Sequence, residues 1–359
     1  MAETNVAKPA GVSTRSLDSA AVYWIGHSLI EGKAETPSGP IDLMTMVGDL
    51  AKAAGLNYSF GDHTLWGSSL SVLWRGQAHG YDRQDSAMIA KRKAFQKDPG
   101  NYDTIVMTEV LPLSYAVKGE FSAHYARRFY CAIKQAKPDA RVFLYQAWVN
   151  FQGHGPEAKD PPAYLFDWRA EMNLQRKLWE RIANEAVAKK VAAPGWLSRF
   201  GIHARSDGGC AARDPILLVP VGATLVAIYD ALAKGGDQVA SLKLADGRPL
   251  SMADFFANPY INWPQNWPLK SAQTDGDLAA KFAKLKLRDP SKPHDDIHMS
   301  ALGIYLSALV HFATIYRRSP VGLPHPDFVG KELGNALGCL AWKTVMRDPR
   351  SGVSSVPHC

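Results

Sequence analysis

Short apolar runs alternate with amphipathic segments along most of this chain. The first apolar run, Ala21–Ile25, predicts a strand that is buried on both faces. Further predicted strands lie at 56–60, 103–107, 141–148 and 216–220, and predicted helices lie at 41–54, 85–97, 121–137, 166–193, 222–233 and 300–318. Alternation of this kind predicts an α/β fold with a parallel sheet, right-handed crossovers and helices on both sides.

The length of 359 residues suits one large α/β domain or two smaller ones. We expect a flexible polar leader over 1–18, one domain over 19–325, and a helical appendage with a frayed tail over 326–359. An Asp246-Gly247 turn between alternating residues predicts a small accessory β-hairpin at 241–250, beside the main sheet.

The formal net charge of +7 comes from lysines and arginines that are scattered along the chain. A protein that reads nucleic acid usually concentrates such charge on one face or arm, so no nucleic-acid partner is expected. No stretch reaches the length of a membrane span, and residues 1–16 lack the apolar core of a signal peptide. We therefore expect no membrane span.

The four cysteines are Cys131, Cys210, Cys339 and Cys359, and none of them belongs to a C-x-x-C pair. This spacing argues against a structural zinc site built on cysteine. Cys339 and Cys359 can pair if the protein is exported, or all four can be ordinary thiols. The compartment stays undecided, with the periplasm or the exterior preferred over the cytoplasm.

Candidate chemistry lies at three places: Ser28 directly after the first strand, Gly67 after the second, and Asp295 and His298 before the last helix. In a doubly wound sheet the carboxyl ends of the strands share one edge, so these residues can meet there. A serine hydroxyl becomes a good nucleophile when a histidine accepts its proton and a carboxylate orients that histidine. A serine, a histidine and an aspartate are present at these places.

This order resembles the block pattern of the SGNH/GDSL hydrolases: G-H-S-L after the first strand, a glycine after the second, and D-x-x-H before the final helix. The resemblance spans roughly Ala21 to Pro320. It implies a three-layer, flavodoxin-like α/β fold, no cofactor, no metal, and ester or acyl chemistry through an acyl-enzyme.

Carried over to this sequence, the resemblance makes Ser28 the nucleophile and His298 the general base. Asp295 orients the base, with Asp296 as the less favoured choice. The backbone N–H groups of Ser28 and Gly67 stabilise the oxyanion.

The chain departs from the family at two positions. G-H-S stands in place of the usual G-D-S, and Thr108-Glu109 stands where the family has G-x-N-D. An ionised Glu109 would repel an oxyanion, so the third oxyanion donor is Thr108, Asn150 or a protonated Glu109. Glu109 can also bind substrate, act as an acid, or form a structural ion pair.

Tryptophans near these positions suggest a sugar substrate, because aromatic faces commonly stack on sugar rings. Trp66, Trp148 and Trp263 are the candidates, and plain core packing is the alternative for each. Trp263 lies in a stretch, 257–293, whose Pro, Asn and Trp content predicts irregular structure over the edge of the sheet. His294 and His298 stand four apart, as zinc ligands on a helix would, but Pro293 argues against a helix there.

The favoured hypothesis is a serine esterase that removes an acyl group from a small-molecule or glycan ester, with acetyl on a carbohydrate as the favoured case. An acyltransferase on the same fold is the first alternative. A carboxylate-driven glycosidase using Glu109, Asp295 and Asp296 is the second. A glycan-binding module with a decayed site is the alternative without catalysis.

Overall fold

The computed structural model describes residues 16–34, 36, 38–77, 84–149, 168–188, 210, 214–234, 242–244, 247–257, 295–354 and 359. The strands in these ranges are β1 (Ser19–Gly26), β2 (Lys33–Ala34), β3 (Ile41–Asp42), β4 (Asn57–Thr64), β5 (Thr104–Met107), β6 (Arg141–Tyr145), β7 (Leu217–Val219), β8 (Phe256–Ala257) and β9 (Asp295–Met299). The helices are α1 (Ser28–Glu31), α2 (Leu43–Ala53), α3 (Leu70–Arg75), α4 (Ser86–Lys97), α5 (Leu113–Gly119), α6 (Ser122–Ala136), α7 (Trp168–Val187), α8 (Val221–Lys234), α9 (Ala301–Tyr316) and α10 (Lys331–Arg347).

The core of the fold is a five-stranded parallel sheet with the strand order β4-β1-β5-β6-β7. Both faces of β1 are covered by helices: Tyr23 stacks on Phe95 of α4, and Trp24 packs against His311 of α9. The predicted α/β fold with a parallel, helix-covered sheet is therefore confirmed.

The register of β1 brings three strand ends together. Gly26 pairs with Thr64 at the end of β4, and Ile25 pairs with Met107 at the end of β5. The chain segments that follow these strands consequently begin side by side at one edge of the sheet, which is where ligands bind in doubly wound folds.

Helix α9 is almost entirely buried, because its residues from Leu302 to Tyr316 all pack inside the protein. It contacts α2 and α10, while α6 contacts α3 and α7 on the other side of the molecule. Ser300 caps α9 by accepting a hydrogen bond from the Gly303 N–H at 3.2 Å. A helix buried this deeply gives the preceding segment a rigid support.

The C-terminal segment contains a helix, α10, in the region where a helical appendage was expected. Helix α10 buries an apolar stripe at every fourth position, formed by Leu333, Leu337, Ala341 and Val345. Beyond it, the Leu218 N–H donates to the Arg350 carbonyl at 2.8 Å, so the chain continues along the outer edge of β7. Residues 351 and 353 are both buried. The stripe has the spacing that places side chains on one helix face, which explains why this segment packs onto the domain.

All four cysteines form disulfides, a pairing that the sequence left open. Cys131 in α6 pairs with Cys210, and Cys339 in α10 pairs with Cys359, with Cα atoms 5.4 and 5.8 Å apart.

The predicted hairpin at 241–250 contains one antiparallel bridge, between Lys243 and Pro249, with Gly247 in the left-handed region at φ +80°. Asp246 lies outside the described residues. No helix in the described part of the chain has the length and apolarity needed to cross a membrane.

Candidate active site

Ser28 and His298 are in hydrogen-bond contact although 270 residues separate them in sequence. The Nε2 atom of His298 lies 2.8 Å from the Oγ atom of Ser28. Ser28 is 7% exposed and His298 is half-buried, so the contact lies close to the protein surface. When the ring proton is on Nδ1, Nε2 accepts the serine proton, and this is the arrangement that a general base requires.

Two glycines flank α1, the short helix that begins at Ser28: Gly26 ends β1 before it, and Gly32 follows its last residue. A Cβ atom on Gly26 would lie 2.6 Å from the methyl group of Thr108, and a Cβ on Gly32 would lie 2.3 Å from the Ser28 carbonyl oxygen. Both distances are shorter than a van der Waals contact. The backbone on either side of α1 therefore has room only for glycine at these two places.

His298 lies in a short strand, which the sequence did not predict. Strand β9 pairs with β8 in antiparallel fashion, and the Ser300 N–H donates to the Phe255 carbonyl at 3.1 Å. Gly303 permits this approach, since a Cβ there would lie 2.1 Å from that same carbonyl oxygen. The extended backbone also argues against the zinc alternative, which needs both histidines on one helix face.

Trp66 contacts His298 directly. The two rings stack with centroids 5.0 Å apart and planes inclined by 24°. The indole is half-buried, so part of it stays accessible beside the contact between Ser28 and His298. Trp66 therefore packs on the candidate base as well as bordering the site.

Gly67 is exposed and follows Trp66 with a left-handed φ of 62°, a conformation that favours glycine. The Leu65 N–H donates to the Gly26 carbonyl at 3.0 Å, which holds this segment against the turn that carries Ser28. Within the described residues, no protein acceptor receives the N–H of Gly67 or that of Ser28.

Glu109 is completely buried, so the structure does not support its direct contact with a substrate. Its Oε1 atom accepts hydrogen bonds from the Leu70 N–H at 3.1 Å and from the Val110 N–H at 2.8 Å. Burial raises the pKa of this carboxyl to about 7, although the Val110 N–H, the nearby Ser122 hydroxyl and the Leu70 N–H all act in the opposite direction. In the described structure the carboxyl therefore binds backbone N–H groups, one of them in the first turn of α3, and no cation.

Thr108 is also completely buried, and its hydroxyl donates to the Tyr145 carbonyl at 3.2 Å. This bond occupies the donor that an oxyanion would need. Asn150, the other candidate for a third oxyanion donor, lies outside the described residues.

His27, which replaces the family's aspartate, is buried beside the nucleophile. Its Nε2 atom lies 3.0 Å from the Glu109 carbonyl oxygen, and because a carbonyl can only accept, Nε2 carries the hydrogen. Burial lowers the pKa of His27 to about 4, with the nearby His298 adding to the effect. His27 is thus a neutral donor at pH 7.

Trp148 is a core residue, contrary to the sequence-based prediction of substrate contact. Its ring is 1% exposed and packs against Tyr145 and Phe256, because the strand that ends at Tyr145 leads directly into the interior. Trp263 and His294 lie outside the described residues, as do the side chains of Asp295 and Asp296, whose backbone belongs to β9. The part of the chain that is described holds no cluster of side chains suited to a metal ion.

The sequence did not reveal the carboxylate contact made by Glu31. The Thr64 hydroxyl donates to Glu31 Oε2 at 2.8 Å and also lies 3.0 Å from Asp62 Oδ1. In the sequence, Glu31 stands three residues after Ser28, which is nearly one helical turn. This spacing is the signal that could have placed Glu31 on the same side of a helix as the nucleophile.

Comparison with known proteins shows only distant likeness. No protein-family model and no curated protein matches the chain. A solved DUF4886 family protein from Bacteroides uniformis shares 13% identity at a TM-score of 0.46, covering 92% of this chain and 96% of that one. An acetyl xylan esterase from Geobacillus stearothermophilus shares 14% identity, and an alpha/beta hydrolase from the metagenome of Lake Arreo, Spain, shares 11%. Both have TM-scores of 0.31, with coverage of 65% of this chain and 88% of theirs. Likeness this distant leaves the chemistry to the geometry of the site.

Proposed function

We propose that residues 19–325 form a serine esterase of the SGNH/GDSL type, which removes an acyl group through an acyl-enzyme on Ser28. The observation that carries this proposal is the 2.8 Å contact between Ser28 Oγ and His298 Nε2 at the carboxyl edge of the parallel sheet. The strand order adds support. When the five parallel strands are numbered along the chain, their order in the sheet is 2-1-3-4-5, which is the order of flavodoxin-like folds.

In the proposed reaction, His298 takes the proton of Ser28 as the hydroxyl oxygen attacks the ester carbonyl. The backbone N–H groups of Ser28 and Gly67 receive the negative charge that develops on the carbonyl oxygen. His298 then protonates the departing alcohol, and a water molecule hydrolyses the acyl-enzyme by the reverse sequence of proton transfers. We assign Asp295 the task of orienting His298.

The proposed substrate is a small-molecule or glycan ester, with acetyl on a carbohydrate as the favoured case. The half-exposed indole of Trp66 beside the nucleophile supports this choice, because an indole face can stack on a sugar ring. The two disulfides support a periplasmic or secreted location, since such bonds persist in oxidising compartments. The glycosidase alternative loses support because Glu109 is buried.

Hydrolysis of an aryl acetate, together with labelling by a fluorophosphonate probe, tests the proposal. Ser28→Ala is expected to lower kcat by at least about 10⁴-fold and to abolish labelling, because the nucleophile is lost. His298→Ala is expected to lose activity to a similar extent. Ser59→Ala, at an exposed serine on β4, is the matched control and keeps both signals.

Full labelling and turnover in Ser28→Ala would rule out this nucleophile. If the acyl-enzyme forms but acetyl passes to an added sugar hydroxyl faster than to water, the protein is an acyltransferase with the same first step.

A further inference from the structure

The segment between β4 and α3, Leu65–Ser69, carries Gly67 and is named the Gly67 loop. Each end of this loop is bound to a carboxyl group on a different element. At the start, the Thr64 hydroxyl donates to Glu31 on α1 at 2.8 Å. At the end, the Leu70 N–H donates to Glu109, which follows β5, at 3.1 Å. The loop is therefore tied both to α1, which carries Ser28, and to the segment that follows β5.

Glu109 also binds the turn that carries the nucleophile. Its carbonyl oxygen accepts from His27 at 3.0 Å, while its carboxyl accepts from Leu70. One buried residue thus joins the position just before Ser28 to the first residue of α3. Glu109 touches neither Ser28 nor His298 among the contacts of the described residues.

A carboxyl group in this position lowers the stability of the folded protein when it is ionised. The side chain is completely buried, and its Oε2 atom has no hydrogen-bond partner among the described residues. An apolar side chain would avoid the cost of desolvating a charge. Ser69 is the cap of α3 and accepts a hydrogen bond from the Val72 N–H, so Glu109 adds a second acceptor at the same helix start, for the Leu70 N–H.

We infer that Glu109 is a positioning residue that fixes the Gly67 loop relative to Ser28, so that the Gly67 N–H faces the oxyanion. This inference rests on the proposed esterase function. A donor to the oxyanion acts mainly in the transition state, so loss of its position lowers kcat and leaves KM nearly unchanged. A misplacement of about 1 Å costs about 10²-fold in rate.

The test compares Glu109→Ala and Glu109→Gln in aryl acetate hydrolysis, with kcat and KM measured separately. Glu109→Ala removes the acceptor for Leu70 and is expected to lower kcat by about 10²-fold, with KM within about twofold. Glu109→Gln keeps an acceptor oxygen at the same place and is expected to restore kcat to within about fivefold of the wild type.

Asp85→Ala is the matched control. Asp85 caps α4 by accepting a hydrogen bond from the Met88 N–H at 2.9 Å, so this variant also loses a carboxylate that binds a helix start. It is expected to keep the wild-type kcat, because α4 carries no residue of the proposed site. A fall in kcat equal to that of Glu109→Ala would mean that general loss of stability explains both.

Thr64→Val breaks the other anchor of the loop and keeps the experiment decisive if Glu109→Ala does not fold. It is expected to lower kcat by about 10-fold at constant KM, because loss of this anchor displaces the Gly67 loop less than loss of the Glu109 carboxyl does. Wild-type kcat in Thr64→Val, or in a folded Glu109→Ala, would overturn the inference, and so would equal losses in the Ala and Gln variants. A wild-type protein that shows neither turnover nor labelling of Ser28 would instead refute the proposed function itself.

Discussion

Replacing Glu109 by Gln is expected to stabilise the protein at neutral and alkaline pH, even though the residue anchors the Gly67 loop. Burial raises the pKa of the Glu109 carboxyl from its ordinary 4.5 to about 7. Between these two values the folded protein retains a proton that the unfolded chain has released. The free energy of unfolding of the wild type therefore falls as the pH rises through this window. Glutamine does not ionise and has no such dependence.

The magnitude follows from the size of the pKa difference. At 1.36 kcal/mol per unit, the rise from 4.5 to about 7 makes the ionised carboxyl cost about 3 kcal/mol above pH 7. Solvent does not screen the charge of this carboxylate, because the side chain is completely buried. The amide of the variant also has a nearby group to bind, since the Ser122 hydroxyl is buried without a hydrogen-bond partner among the described residues.

The assay is urea unfolding of the wild type and Glu109→Gln at several pH values from 4 to 8.5. The quantity of interest is the difference between the two free energies of unfolding, because the other titrating groups are common to both proteins. This difference is expected to increase by about 3 kcal/mol in favour of the variant as the pH rises from 4 to 8.5. A difference that stays constant with pH would refute the reasoning, as would one that falls.

Three further predictions concern the stacked indole, the disulfides and the buried histidines. Trp66→Leu is expected to lower kcat/KM by about 2- to 30-fold and Trp66→Phe by less, because an aromatic face stabilises the imidazolium by about 0.5 to 2 kcal/mol; equal rates in all three proteins would contradict this. Reduction of the Cys131–Cys210 disulfide, which closes a loop of 79 residues, is expected to cost about 4 to 5 kcal/mol in urea unfolding, and Cys131→Ser should lose as much. Acid is expected to destabilise the protein progressively as the pH falls below 6.5, because burial lowers the pKa of three histidines and the unfolded chain takes up their protons first. The urea midpoint, followed by circular dichroism, is expected to fall as the pH is lowered, and a constant midpoint would refute this. These residues are His27, His63 and His311, with pKa values of about 4, 4 and 3.

The alternation of apolar runs and amphipathic segments was enough to predict the class of fold. Strand β1 shows why, since consecutive residues from Val22 to Ile25 are all buried and only a strand covered on both faces needs such a run. The same local pattern placed Ser28 directly after the first strand and Gly67 after the second. It could not predict strand β9, because the segment pairs with β8, nearly 40 residues earlier, and its own composition favours no strand.

The sequence by itself determined which residue types stand at the ends of strands, and hence that a serine and a histidine were candidates for one site. Only the tertiary structure decided that they lie 2.8 Å apart, that Trp66 stacks on the histidine, and that Glu109 is buried. The physical reason is that hydrophobic periodicity is a local property of the chain. The exposure and hydrogen-bond partners of a side chain depend instead on groups that reach it from distant segments, as Leu70 reaches Glu109 across 39 residues.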